Sequence, residues 1–235
     1  MQHFWVVGTD TDVGKTIVTT MLMCHLQKQG LKVSPYKPVQ TGEVYENGRG
    51  YYYDTAMYEK YSLQKLQQEH LNSYSFREAA SPHFAAQLEG QQIDANELLL
   101  RIQLLQASYD VVICEGAGGL FVPLTAPNGM TLLDVIVSSK LPVVLVTRTS
   151  LGTINHTLLT IEALRSRQVD VLGMVFNGGD TGSCMEQDNI QTILQYHPLP
   201  YAIIPQLQNL SQLMDYAITH TTLFERLFNY ETSSN

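Results

Sequence analysis

The residues with the clearest chemical potential form a segment near the start of the chain, Gly8-Thr-Asp-Thr-Asp-Val-Gly14-Lys15-Thr16. An apolar run over residues 4–8 precedes it and a helix-like stretch follows. In this setting backbone N–H groups point at a phosphate, the lysine contacts the terminal phosphate oxygens, and the hydroxyl binds Mg²⁺. The segment therefore predicts a nucleotide site. It departs from the usual pattern, because Thr9 stands at the place of the first glycine.

Two acidic residues, Asp10 and Asp12, lie inside this segment. Carboxylates near a triphosphate are repelled unless a metal or a cationic substrate offsets them. Asp10 is explained equally well by turn chemistry, since aspartate favours such loops. Asp12 is also compatible with a position that faces an amine-bearing substrate.

Two more charged residues follow apolar runs. Lys37 lies near the end of a predicted strand and could stabilise charge on a transferred phosphoryl group, although a solvated surface lysine is the simpler interpretation of the residue alone. Glu115 ends the run 111–114, where open α/β sheets bind ligands, and an acid there can hold Mg²⁺. A loop or capping carboxylate is the alternative. The glycines at 116–119 do not make a dinucleotide fingerprint.

The remaining polar residues carry weaker signals. Asp54 follows three tyrosines, which could form a stacking surface but more often pack under a loop. The seven histidines are scattered without an HxxxH pair, and nothing indicates a Ser-His-Asp triad or a Cys-His pair. The three cysteines have no CxxC spacing and indicate neither a disulfide framework nor a zinc site.

Short apolar runs alternate with helix-like stretches along the chain. The predicted strands cover residues 4–8, 32–39, 111–114, 143–146, 171–176 and 201–204. The predicted helices cover residues 15–29, 94–108, 155–167 and 185–196, with further helices beginning at about Ser81 and Ser211, and residues 42–53 are expected to form a loop. The pattern predicts one α/β domain over residues 1–235, a three-layer sandwich with a mainly parallel sheet and helices on both faces.

Charge and hydropathy narrow the function further. A net charge of -8 argues against non-specific nucleic-acid binding, which needs a basic face. The first strand begins so early that a signal peptide has no room, and no apolar run approaches the ~20 residues needed to span a bilayer. We therefore expect a cytoplasmic protein with no membrane or nucleic-acid partner.

Several of these segments together resemble the dethiobiotin synthetase family of P-loop enzymes. The phosphate loop, in which five residues instead of the usual four separate Gly8 from Gly14, is the signature of that family. Further matching segments recur in family order over residues 4–207: Tyr36-Lys-Pro-Val39, Asp54, Ser81-Pro-His83, Glu115-Gly-Ala-Gly-Gly119, Leu151-Gly-Thr-Ile-Asn-His156 and Asn177. The combination of these segments is specific for the family, although each segment alone is only modest evidence for it.

The resemblance implies a reaction. Family members take 7,8-diaminononanoate, CO₂ and MgATP, and form the cyclic urea dethiobiotin with ADP and phosphate. The diamine becomes a carbamate, whose oxygen attacks the γ-phosphorus, and the second amine then closes the ring and expels phosphate. The family is a homodimer in which the segment at Gly152 to Asn155 of one subunit helps to hold the substrate's carboxylate tail in the other subunit.

Site residues are implied by the same resemblance. The lysines that stabilise developing charge are Lys15 and Lys37. The Mg²⁺ positions are Thr16, Asp54 and Glu115. The substrate positions are Thr11, Thr41, Gly152 and Asn155, with Asp12 also near the diamine. The ATP positions are Asp12, Val13, Gly14, Lys15, Thr16, Ile17, Asp54, Glu115, Gly116, Ala117, Gly118, Asn177, Pro205, Gln206 and Leu207.

The chain departs from the family pattern at three of these places. Thr41 stands where serine is usual, which keeps a hydroxyl. Asp12 stands where glutamate is common, which shortens the reach by one methylene. Gly178 follows Asn177 where aspartate is frequent, so hydrogen bonding to the base or ribose is in question.

Three rival functions share this loop style. P-loop switch ATPases that partition DNA or position division machinery carry an extra lysine early in the loop, where this chain has Asp10. Amidation ligases of the cobyrinic-acid type usually need a glutaminase domain, for which 235 residues leave no space within the chain. Lys37 and Glu115 favour chemistry over the third possibility, a module that only binds nucleotide.

Overall fold

The computed structural model describes residues 2–125, 129–179 and 182–206, together with Asn209, Gln212, Phe224 and Glu225. The strands are β1 (Phe4–Gly8), β2 (Val33–Thr41), β3 (Glu43–Glu46), β4 (Arg49–Tyr52), β5 (Asn72–Phe76), β6 (Val111–Glu115), β7 (Val143–Thr147), β8 (Val171–Gly179) and β9 (Tyr201–Pro205). The helices are α1 (Lys15–Lys28), α2 (Tyr53–Tyr61), α3 (Pro82–Leu88), α4 (Ala95–Gln106), α5 (Leu132–Ser139), α6 (Thr153–Ser166) and α7 (Cys184–Tyr196).

Seven strands form one sheet in the order β5-β2-β6-β1-β7-β8-β9, and every neighbouring pair runs parallel. The chain builds outward from β1 to one edge, returns to β6, and then builds toward the other edge. The strand order therefore reverses beside β1, and the carboxyl ends of β1, β2 and β6 meet at this switch point. Open α/β sheets bind their ligands in the crevice at such a point.

Two hydrophobic cores cover the two faces of the sheet, which confirms the predicted three-layer arrangement. Alternate residues of β1 point to opposite faces, so Trp5 joins one core and Phe4 joins the other. The first core contains side chains of α3 to α7, and the second contains those of α1 and α2 together with Phe224. In the described part of the chain, no helix is both long and apolar enough to cross a membrane.

The prediction of a loop over residues 42–53 is wrong, because these residues form the antiparallel hairpin β3–β4. Its two-residue turn is Asn47-Gly48, and both residues have positive φ angles, 52° and 77°. An Asn-Gly pair is the strongest short-range hairpin signal, and it was overlooked because the flanking residues are polar and aromatic without clean alternation. The hairpin leads directly into α2, which was also not predicted.

Other differences concern edges and caps. Strand β5 and helix α5 were not predicted, and the predicted helix from Ser211 falls on residues that lie largely outside the described ones. At the start of α4, the Asp94 carboxylate accepts a hydrogen bond from the Asn96 N–H as a cap should. The Glu97 carboxylate in the first turn accepts a hydrogen bond from the Tyr74 hydroxyl.

Candidate active site

The phosphate loop connects the end of β1 to the start of α1 at the switch point of the sheet. Gly14 caps α1 with φ at 96°, a left-handed conformation that glycine adopts without strain. A Cβ atom on Gly14 would overlap the side-chain amide of Asn177, so a larger residue here would displace that amide. Among the described residues, no side chain caps the first N–H groups of α1, which suits a helix N-terminus that receives phosphate.

Lys15 lies over this loop. Its side chain is buried, and its Nζ donates a hydrogen bond to the Asp10 carbonyl at 2.8 Å. Burial and then the nearby Lys37 ammonium lower the pKa of Lys15 to about 8, against the opposing pull of Glu115 and Asp54. The Asp10 carboxylate accepts a hydrogen bond from the Thr11 N–H at 2.7 Å, which supports the turn-chemistry interpretation of Asp10.

A cluster of charged side chains lies beside the loop, where β2, β6 and α2 meet. Lys37 Nζ lies 2.6 Å from Asp54 Oδ2 and 2.7 Å from Glu115 Oε1. Thr16 Oγ1 lies 2.7 Å from Asp54 Oδ1 and 2.8 Å from Glu115 Oε1, and its single proton can serve only one of these acceptors at a time. These contacts exclude the interpretation of Lys37 as a solvated surface lysine.

The cluster is kept charged by mutual pairing. Burial alone would lower the pKa of Lys37, but Glu115 and Asp54 together raise it well above its usual value. Burial alone would raise the pKa of Asp54, but Lys37 and then Thr16 hold it below its usual value. Lys37 and Asp54 therefore face each other as ions in a largely buried space, which is favourable only because each charge has a close partner of opposite sign.

The chemistry of the oxygen donors fits a magnesium ion. Thr16, Asp54 and Glu115 converge from three different elements and offer one hydroxyl and two carboxylates. Mg²⁺ prefers oxygen ligands and is usually bound through one or two carboxylates together with substrate phosphates and water. In the described part of the chain, no three His, Cys, Asp or Glu side chains are grouped so that they could hold a metal ion by themselves.

An open cleft of about 470 Å³ joins the loop to this cluster. The predicted site residues that line it are Thr11, Asp12, Gly14, Lys15, Thr16, Ile17, Lys37, Thr41, Asp54, Glu115, Ala117 and Gly118. A second cavity of about 480 Å³ lies near α3 and contains none of the predicted site residues and no Asp, Glu, Lys or Arg side chain. We therefore place the chemistry in the cleft at the phosphate loop.

Other predicted residues adjoin the cleft without lining it. The Val13 carbonyl accepts a hydrogen bond from Asn177 Nδ2 at 3.0 Å, and the Gly116 carbonyl accepts one from Lys37 Nζ at 3.3 Å. Pro205 pairs with Gly179 at the end of β9, and the Gln206 N–H donates to the Gly179 carbonyl.

Two predicted residues are not brought into the cleft of this chain. Gly152 and Asn155 lie at the start of α6 and do not line it. Leu207 lies outside the described residues.

Sequence reasoning missed four residues of the site. Val39, Gln40 and Tyr53 line the cleft, and Tyr58 donates a hydrogen bond from its hydroxyl to Glu115 Oε2. Tyr58 follows Asp54 by four residues, a spacing that places both on one face of a helix. This signal was lost because helix α2 itself was not predicted.

Comparison with known proteins gives consistent results at the level of sequence. A family model described as an AAA domain matches residues 2–214. The ATP-dependent dethiobiotin synthetase BioD of Lysinibacillus sphaericus (strain C3-41) is 76% identical over 235 residues, which covers 100% of both chains. The protein of the same name from Halalkalibacterium halodurans is 37% identical over 201 residues, covering 85% of this chain and 82% of its own.

Solved structures with similar folds are much more distant in sequence. The septum site-determining protein MinD from Pyrococcus horikoshii, complexed with Mg-ADP, is 15% identical with a TM-score of 0.55, covering 97% of this chain and 94% of its own. The cobyrinic acid a,c-diamide synthase from Mycobacterium smegmatis is 14% identical with a TM-score of 0.50, covering 92% of this chain and 93% of its own. At these identities the likeness concerns the fold alone. Both of the specific rival functions named from the sequence thus share the architecture.

Proposed function

The chain belongs to the ATP-dependent dethiobiotin synthetase family, and on that premise we propose that it joins 7,8-diaminononanoate and CO₂ into dethiobiotin with MgATP, releasing ADP and phosphate. It is an ATP-dependent cyclo-ligase that forms carbon–nitrogen bonds. The observation that supports the reaction most strongly is the buried cluster of Lys37, Asp54, Glu115 and Thr16 beside the phosphate loop. A protein that only binds nucleotide has no need of a second buried lysine at that place.

The reaction proceeds in three bond-forming steps. An amine of the substrate attacks CO₂ and loses a proton, which gives a carbamate. A carbamate oxygen attacks the γ-phosphorus of ATP and ADP leaves, which gives a carbamic–phosphoric anhydride. The second amine then attacks the carbamoyl carbon and expels phosphate, which closes the cyclic urea.

Each candidate residue has a distinct part in this scheme. Lys15 and Lys37 supply positive charge to the oxygens of the transferred phosphoryl group, where electrostatic stabilisation is the main catalytic task. Thr16, Asp54 and Glu115 would hold Mg²⁺, which when bound neutralises charge on the phosphate oxygens. Thr11, Asp12 and Thr41 also line the cleft, and we assign them to the diamine and its carbamate.

The remaining ATP positions belong to the loop and the neighbouring strands. Val13, Gly14, Ile17, Gly116, Ala117 and Gly118 surround the phosphates, while Asn177, Pro205, Gln206 and Leu207 are assigned to the base. The hydrogen bond between Asn177 and the Val13 carbonyl supports this arrangement, because it ties β8, which carries Asn177, to the phosphate loop.

The test is phosphate release from MgATP and isotopically labelled bicarbonate, with and without 7,8-diaminononanoate, followed by mass spectrometry of the product. We expect phosphate release to require the diamine, and the label to appear in a cyclic urea with the mass of dethiobiotin. Slow release that is indifferent to the diamine would contradict the proposal and would favour a switch ATPase. Diamine-dependent release without the cyclic urea would favour a ligase for another product.

We propose in addition that the protein works as a cytoplasmic homodimer, in which Gly152 and Asn155 of one subunit bind the carboxylate tail of the substrate held by the other. Gly152 caps α6 at φ 93° without a side-chain cap, so the first N–H groups of this helix suit a carboxylate. The adjacent Leu151 is 85% exposed, which is compatible with burial by a second subunit.

Subunit mixing tests this arrangement. A dimer of Lys37→Gln and Asn155→Ala subunits contains one site with both defects and one site with neither. If Asn155 acts across the interface, mixing the two impaired variants restores activity. Proven subunit exchange without recovery would contradict the shared site.

A further inference from the structure

Tyr58 connects the candidate metal site to the hydrophobic core. Its side chain is fully buried among apolar residues of the second core, and its hydroxyl donates a hydrogen bond to Glu115 Oε2. Asp54 lies one turn earlier on the same helix, so α2 presents a candidate metal ligand and a tyrosine hydroxyl on one face. None of the roles assigned above uses this hydroxyl.

The two oxygens of Glu115 have different partners. Oε1 contacts Thr16 Oγ1 and Lys37 Nζ, at 2.8 and 2.7 Å, on the side of the cleft. Oε2 is taken by Tyr58 on the side of the core. The Glu115 carboxylate is therefore held in one rotation, with a single oxygen toward the cleft.

This asymmetry bears on the choice of cation. Ca²⁺ takes six to eight oxygen ligands in flexible geometry and often binds both oxygens of one carboxylate, whereas Mg²⁺ requires a small, nearly octahedral set of ligands. A carboxylate that can offer only one oxygen suits the smaller ion. Hydrogen-bond partners that orient a metal ligand commonly change metal affinity 10–100-fold when they are removed.

We infer that Tyr58 is a positioning residue that occupies Glu115 Oε2, so that Glu115 offers only Oε1 to a divalent cation and the site favours Mg²⁺ over Ca²⁺. The inference rests on the proposed magnesium site, and it extends the site to a residue outside the cleft. It concerns metal selectivity and not the diamine, so it can fail or hold independently of the product formed.

The test compares Tyr58→Phe with Tyr36→Phe. Tyr36 is a matched control, because it is also fully buried and its hydroxyl pairs with Ser73 Oγ at 2.7 Å, away from the carboxylates. Binding of ADP is measured by calorimetry over a range of Mg²⁺ or Ca²⁺ concentrations, and again in EDTA. The thermal unfolding temperature of each variant is also measured, because it reports the stability that is lost when a buried hydroxyl group is removed.

We expect Tyr58→Phe to raise the Mg²⁺ concentration for half-maximal enhancement of ADP binding by about tenfold. The corresponding Ca²⁺ concentration should rise less or fall, so the preference for Mg²⁺ shrinks. Tyr36→Phe should leave that preference unchanged, even where its unfolding temperature falls as much.

Two results would overturn the inference. If Tyr58→Phe keeps the same preference for Mg²⁺ over Ca²⁺, Tyr58 is a core residue only. The same conclusion follows if Tyr58→Phe loses as much ADP affinity in EDTA as it loses with Mg²⁺ present. If ADP binding to the unaltered protein did not respond to Mg²⁺, the proposed metal site itself would fail. The absence of dethiobiotin in the activity assay would instead contradict the proposed reaction and leave a measured Mg²⁺ preference standing.

Discussion

At its carboxyl edge the sheet carries charge in one half and neutral groups in the other. The half formed by β2, β6 and α2 places Lys37 between two carboxylates, 2.6 Å from Asp54 and 2.7 Å from Glu115. The half formed by β8 and β9 presents an amide, Asn177, and backbone groups around Gly178. Both halves border the same phosphate loop, yet among the residues that the structure describes only the first half holds groups that can stabilise developing charge.

The difference indicates a division of labour. Buried ions are expensive to remove from water, so a lysine between two carboxylates is explained best by a task that requires charge. Neutral amides and backbone groups recognise the shape of a ligand through hydrogen bonds of about 1 kcal/mol each. Substitutions in the charged half should therefore affect turnover or metal use, whereas those in the neutral half should affect nucleotide affinity modestly.

Lys37→Gln should have the largest effect. We expect turnover to fall about a thousandfold with ATP affinity changed less than about threefold, because the charge of Lys37 acts on the transition state. Steady-state kinetics and calorimetric ATP binding in saturating Mg²⁺ measure the two quantities. Lys32→Gln is the control, since Lys32 is exposed at the other end of β2 and donates to the Ser108 carbonyl. Equal losses of ATP affinity and turnover would contradict the role of Lys37.

Asp54→Asn should act through the metal. The amide keeps an acceptor for Thr16 and removes one of the two carboxylate charges, so the Mg²⁺ concentration for half-maximal activity should rise at least about tenfold. Activity as a function of Mg²⁺ at fixed ATP measures this shift. Glu59→Gln on the same helix is the control, because Glu59 is exposed and contacts Gln68. A loss of turnover that excess Mg²⁺ does not relieve, with the half-maximal concentration unchanged, would exclude Asp54 as a metal ligand.

Asn177→Ala tests the neutral half. Loss of the hydrogen bond to the Val13 carbonyl should weaken ATP binding about fivefold and leave turnover within about twofold, because one neutral hydrogen bond is worth about 1 kcal/mol. Asn189→Ala is the matched control: its buried amide donates to the Thr149 carbonyl, so it should lose stability without losing ATP affinity. A turnover defect as large as that of Lys37→Gln would abolish the distinction between the two halves.

The sequence could predict the parts of this site that follow local rules. The order of apolar runs and the glycine-flanked loop were sufficient for the three-layer fold and for the position of Lys15 and Thr16. Glu115 could be placed at a strand end for the same reason. Each of these depends on residues that are close together in the chain.

The remaining features depend on long-range contacts. Lys37 and Glu115 are 78 residues apart, and only the parallel pairing of β2 with β6 brings them together, so Lys37 alone looked like a surface lysine. Tyr58 could not be connected to Glu115 without helix α2. That helix was missed because the polar hairpin before it was interpreted as a loop.

Substitutions of Gly178 should have the smallest effect on ATP binding. They test whether the backbone at this glycine takes part in nucleotide recognition by the neutral half. Its φ is 80°, and a Cβ atom there would have open space around it. Gly178→Ala should therefore cost only the backbone strain of a left-handed alanine, about 1–2 kcal/mol in the free energy of unfolding, with the Michaelis constant for ATP within about twofold. Gly178→Asn should cost less, because asparagine tolerates this conformation. Chemical denaturation and steady-state kinetics of both variants measure these quantities. If both variants raised the Michaelis constant for ATP more than Asn177→Ala does, the backbone at Gly178 would itself contact the nucleotide. The conformation of that backbone, and not the Asn177 amide, would then govern nucleotide recognition in this half.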